Sequence, residues 1–131
     1  MSSDIRWKQR FENLLKAFKL LQEAVERDGL SRLEEEGMVQ RFEYTFELAW
    51  KTLKDLLMSR GVDATFPRDV IKEAFQSGLV TDGDTWIEML DRRNQLSYTY
   101  NETTFTQAIE NVRTRYYPAL ATLVETLRRI E

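Results

Sequence analysis

The stretch WKQRFENLLKAFKLLQEAV (residues 7–25) decides the fold class. Trp7, Phe11, Leu14, Phe18, Leu21 and Val25 recur at steps of four, three, four, three and four, the period of one stripe on a helix. Ser3 suits the N-cap ahead of this stripe and Gly29 the position past its end, so the pattern predicts a first helix over about 3–28.

The same period continues along the chain. Ser31-Arg32-Leu33-Glu34 has the form of a capping box, and the acidic run 34–36 sits where a helix dipole favours negative charge. The predicted second helix carries Phe42, Phe46, Ala49, Leu53, Leu56 and Leu57 and stops at Gly61, with Glu47 and Lys51 as an i,i+4 pair. Gly37 lies inside it and predicts a loose or separate first pair of turns. Pro67 suits the first position of a short third helix through Val70, Ile71 and Phe75 to Gly78; Phe66 is a poor cap, and Thr65 is the alternative. Residues 81–84 form a turn that supplies caps, and a fourth helix starts near Asp84. After a break at 101–103, Thr104-Phe105-Thr106-Gln107 reads as a second capping box. A fifth helix then runs to about Arg129 with Phe105, Ile109, Val112, Tyr116, Leu120, Leu123 and Leu127 on one stripe, and Pro118 predicts a kink in it. Three long helices, two short ones and short connections predict an all-α, antiparallel up-and-down bundle of about five helices, in one domain spanning 1–131.

Composition narrows the function classes. Only 5 of 131 residues are glycine and 2 proline, which disfavours hairpin-rich folds. With no cysteine, no disulfide framework is possible. The N-terminus is charged in its first turns and no apolar run approaches a membrane span, so the chain is expected to be cytoplasmic, with no membrane contact. A formal net charge of −3 argues against a whole-surface nucleic-acid binder and leaves a local basic site open. The count of zero histidine decides most. It removes the usual general base near neutral pH, the commonest metal ligand, the Ser-His and Cys-His nucleophile pairs and the Glu-x-x-His pattern of a di-iron bundle. No cofactor and no metal is expected.

One segment breaks the apolar pattern. On the fourth helix Trp86, Leu90, Arg93, Ser97 and Tyr100 share a stripe, and Asp91, Asn94 and Tyr98 the stripe beside it. The core-facing stripe thus turns polar halfway along. An arginine there needs a partner or a cleft. Arg93 either pairs with Glu43 or Glu47 of the second helix, with Tyr98 and Tyr100 as core aromatics whose hydroxyls reach the surface, or faces a phosphate, which its planar fork suits. Tyr44 and Trp50 read as core or dimer surface, and Arg113, Arg115, Arg128 and Arg129 as surface pairing partners.

RFEYTFELAWKTLKDLL (41–57), PRDVIKEAFQSGLV (67–80) and DTWIEMLDRRNQLSYTYNE (84–102) occur in this order. Together they resemble the nucleotidyltransferase substrate-binding proteins, the HepT-like branch of the HEPN superfamily, over about 40–130. The resemblance implies a small helical bundle that forms a homodimer, is encoded beside a minimal nucleotidyltransferase and complexes with it in a toxin–antitoxin type of pair, with nucleotide or RNA as further ligands. Several members are ribonucleases through an Arg-x4-His-x-Tyr motif, and the transferase neutralises them by attaching AMP to the motif tyrosine. Carried over, the binding residues are Arg93, Asn94, Tyr98 and Tyr100, with Tyr100 the modified tyrosine. This chain has Tyr98 where the motif has histidine. A phenol near pKa 10 lies about three units from neutrality, where an imidazole near 6.5 lies close to it, so it is a poor proton shuttle. The resemblance without its histidine implies a non-catalytic substrate-binding or partner subunit. The alternatives are a HEPN-type ribonuclease in which Arg93 and Tyr98 are catalytic, and a purely structural dimer in which Arg93 makes an internal salt bridge.

Overall fold

The computed structural model describes residues 3–98 and 101–131, and among them every regular element is helical. The elements are α1 (Ser3–Val25), α2 (Arg32–Ser59), α3 (Pro67–Gln76), α4 (Gly83–Tyr98), α5 (Glu102–Asn111), a π-helical turn (Val112–Tyr116) and α6 (Tyr117–Ile130). The last three follow one another without a break, so the long fifth helix of the sequence is present with a wide turn in its middle. Among the described residues, no helix is long and apolar enough to cross a membrane.

Cross-helix contacts give the directions. Arg27 meets Glu34, Arg41 reaches the Leu20 carbonyl, and Arg10 meets Asp55. Pairing that runs backwards along α2 as it runs forwards along α1 makes the two antiparallel. Arg113 donates to the Val25 carbonyl at 2.6 Å and Tyr117 stacks on Phe18 at 5.3 Å, so α6 is antiparallel to α1 as well. Arg32 meets Glu102 and Phe42 stacks on Tyr116, which sets α5 and α6 parallel to α2. The core between them holds Trp7, Phe11, Leu14, Phe42, Phe46, Leu53, Trp86, Tyr116 and Leu127. Each such side chain contributes about 1.5–3 kcal/mol of burial.

Local signals held with four corrections. The Ser31–Glu34 capping box forms as written, but Gly37 does not loosen the helix it opens: α2 is continuous from Arg32 to Ser59, because Met38 and Val39 are already packed into the core. The first helix ends at Val25 rather than near 28, since Arg113 takes the carbonyls of Val25 and Arg27 and draws that end of the chain out of helical pairing. Gly29 then serves the connection, with φ +67°, rather than the helix end. Phe66, not Thr65, is the N-cap of α3, without a side-chain bond; Pro67, which has no N–H to satisfy, makes that tolerable. The second capping box does not form at Thr104. Asn101 caps instead, its Oδ1 accepting from the Thr104 N–H at 3.0 Å, and α5 begins three residues earlier. Asparagine is an even better N-cap than threonine.

The expected kink at Pro118 takes the form of the π-helical turn just before it, closed by the Tyr117 N–H to the Val112 carbonyl, five residues back. Proline lacks an N–H and its ring collides with the carbonyl four residues earlier. Widening the preceding turn by one residue relieves that collision without breaking the helix.

Candidate functional site

The polar end of α4 lies against α2. Trp86, Met89 and Leu90 are buried, Arg93 is half-buried and Ser97 is exposed, so the stripe climbs out of the core as the sequence pattern implied. Glu43, Glu47 and Trp50 are spaced four and three on α2, which puts them on one face. Phe46 anchors that part of α2 against Trp86, ring centroids 6.0 Å apart. This contact brings Arg93 within reach of the acidic side chains.

Arg93 Nη2 donates to Glu47 Oε2 at 2.9 Å and Nη1 to Asn94 Oδ1 at 3.2 Å. Glu47 holds Lys51 with its other oxygen at 3.3 Å. Arg93 thus does what the pairing reading required, and Glu47 rather than Glu43 is its partner. With side chains 24% and 35% exposed, the pair is worth about 1 kcal/mol or less. Arg93 Nε and Trp50 Nε1 are enclosed with no hydrogen-bond partner among the described residues. Enclosed donors left over in this way are the atoms that an incoming acceptor satisfies.

Glu43 is half-buried beside the pair, and burial pushes its carboxyl above the usual carboxylate range, with the Arg93 charge pulling partly back. A carboxyl whose folded pKa is raised stabilises the fold fully below its ordinary value near 4.5, and that contribution is lost as the pH rises through the folded value. Glu43→Gln, which removes the buried charge and keeps the shape, is therefore expected to raise the melting temperature by a few degrees at pH 7 and to change it little at pH 4. Melting curves at both values check this; equal shifts at the two would contradict it.

Asn94 is half-buried next to Arg93. Tyr98 ends α4 with its backbone; its side chain and the whole of Tyr100 lie outside the described residues. Of the four residues assigned to binding from the sequence, the structure therefore brings together Arg93 and Asn94.

A model for the family described as nucleotidyltransferase substrate binding protein like matches residues 9–129. The chain belongs to this family. Two solved structures share the fold across 90% of this chain and 98% of their own. One, from Thermus thermophilus, is 32% identical with a TM-score of 0.76. The other, from Haemophilus influenzae, is 25% identical with a TM-score of 0.75, and is described as revealing the fold of a substrate binding domain of a nucleotidyltransferase. A Haemophilus influenzae protein named probable ribonuclease HepT is 32% identical over 71 residues. That match spans about half of each of the two proteins, 50% of this chain and 49% of the relative.

For this member of the family, reading the sequence missed a second polar cluster, on the other side of α4. Arg115 of the π-helical turn and the Tyr116 hydroxyl both donate to Glu88 Oε2, the latter at 2.6 Å. Those two bonds hold the Glu88 carboxyl below its usual range, whereas burial first, and then the bond to Glu88, push the Tyr116 hydroxyl up. Arg115 is indeed paired, but as part of this cluster; Arg113 spans to α1, and Arg128 lies 3.9 Å from Glu125. The sequence placed Tyr116 on the core stripe of its helix, but helical period gives no sign of which group on α4 its hydroxyl and Arg115 would meet.

Proposed function

We propose that this chain is the substrate-binding, partner subunit of a minimal nucleotidyltransferase, a homodimer in which the end of α4 is the surface offered to the transferase and Tyr100 is the residue that receives AMP. The observation that carries the reading is the family match over nearly the whole chain, combined with Arg93 at the exposed end of an otherwise buried stripe. Arg93 is held by one carboxylate and keeps Nε unsatisfied, so an acceptor from a partner or a nucleotide phosphate adds a bond without displacing Glu47. The chain carries no histidine, and Tyr98 stands at the position of the proton shuttle, which separates binding at this segment from cleavage.

The test is co-expression with the small transferase encoded next to it. A complex that survives purification, and that weakens at least about tenfold for Arg93→Ala, is the expected result. No complex with the neighbouring transferase would sink the proposal. A second reading, a HEPN-type ribonuclease using Arg93 and Tyr98, is favoured by the relative named probable ribonuclease HepT, 32% identical over 71 residues. The same preparation incubated with RNA decides between them: cleavage that disappears in Arg93→Ala favours the second reading.

A further inference from the structure

We propose that Arg92, together with Arg115, Gln107 and Asn111, forms a phosphate-binding site on the face between α4 and α5, distinct from the Arg93–Glu47 pair. Consecutive residues of a helix point about 100° apart. Arg93 accordingly crosses to α2, and Arg92 turns to α5. There its Nη1 donates to Gln95 Oε1 at 3.4 Å and to Gln107 Oε1 at 3.5 Å, both long for hydrogen bonds. Where Arg68, Arg93 and Arg115 each hold a carboxylate, Arg92 has none within 4.0 Å among the described residues. Its Nε is enclosed with no partner among them. Glu88, whose carboxyl feels the Arg92 charge, has Oε2 occupied by Arg115 and Tyr116.

These groups line a hollow of about 510 Å³. That size is within the range of small-ligand sites. Arg92 on α4 and Arg115 on the helix that continues α5 face each other across it, and a phosphate accepts paired N–H donors from such planar forks. Gln107 and Asn111, one helical turn apart on α5, offer amide donors and acceptors on the same wall as Arg115. Glu110 stands exposed on the rim and its charge opposes an anion, so it weakens the site rather than building it. The phosphate comes either from a free nucleotide or from the backbone of a short RNA, which share the recognised group.

The full-length chain is titrated with ATP in the absence of divalent metal and, separately, with a five-nucleotide RNA lacking terminal phosphates, in low salt. The expected result is saturable binding of at least one probe, weakened about tenfold or more by Arg92→Gln. Arg128→Gln, which removes an arginine of α6 that does not line the hollow, changes it less than about twofold. Glu110→Gln tightens it, an opposite sign that no loss of folding can imitate. Binding of ATP alone identifies the free nucleotide as the source, and binding of the RNA identifies the backbone. Binding of neither probe overturns the site. So does Arg92→Gln with wild-type affinity, equal losses in the two arginine variants, or Glu110→Gln without tightening. The transferase takes no part in this titration, so its outcome is separate from that of the complex.

Discussion

Tyr100→Phe is expected to take up no AMP when the chain is mixed with the proposed partner transferase and labelled ATP, a drop of at least about 100-fold from wild type. The phenol oxygen of Tyr100 is the attacking atom in the proposed reaction. It forms a bond to the α-phosphorus of ATP, the bond from that phosphorus to the bridging oxygen breaks, pyrophosphate leaves, and the phenolic proton passes to a base on the transferase. Phenylalanine keeps the ring and has no oxygen to attack with. Tyr98→Phe, two residues earlier, is the paired measurement and is expected to keep incorporation within severalfold. Autoradiography of the separated chains reads both. Label that persists in Tyr100→Phe, or that vanishes equally in Tyr98→Phe, would remove Tyr100 as the acceptor.

Phe42→Ala is expected to lower the stability of the fold by about 3–5 kcal/mol, a large part of the roughly 5–15 kcal/mol that holds a domain of this kind together. Phe42 is fully buried, stacks on Tyr116 at 5.3 Å and lies 6.2 Å from Phe46. It thus ties α2 to the π-helical turn. Truncation removes the burial, leaves a cavity between helices that cannot close on it, and forfeits two ring contacts. For a chain of this length the melting temperature should fall by about 10–20 °C. Tyr44→Ala, on the same helix but 37% exposed, is expected to change stability by about 0.5 kcal/mol or less. A small loss for Phe42→Ala would mean that the contact between α2 and the turn is not the one described. The same substitution should also disturb the Glu88–Tyr116–Arg115 cluster, because the Tyr116 ring rests on Phe42.

The candidate site divides in the same way as these two predictions. The climb of the α4 stripe out of the core, from Trp86 and Leu90 through Arg93 to Ser97, was legible from spacing alone, since helical period places residues on faces whatever the rest of the chain does. The pairing choice was not. Glu43 and Glu47 lie on one face of α2, and period cannot say which of them Arg93 meets. The packing of Phe46 on Trp86 sets the height of α4 along α2 and selects Glu47. Glu43 is left half-buried beside the pair, with its carboxyl pushed up. Arg92 shows the limit more sharply. In the sequence it is one more arginine beside Arg93, and only the position of α5 leaves it facing amides instead of a carboxylate.

By itself the sequence determined that the chain is helical, roughly where each helix begins and ends, and which side chains form the core. Each of these follows from short-range physics: a period of about 3.6 residues, side-chain caps and the missing N–H of proline. The tertiary structure decided what short-range physics cannot reach. Arg113 shortened α1 by taking carbonyls 86 and 88 residues away in sequence. The strain of Pro118 was released as a wide turn rather than as a sharp bend, with Tyr116 of that turn packed against Phe42. And α4 was placed between two neighbours that give its adjacent arginines different partners, because a long side chain's partner is whatever group lies within its reach across the gap between helices, not anything written in its own helix.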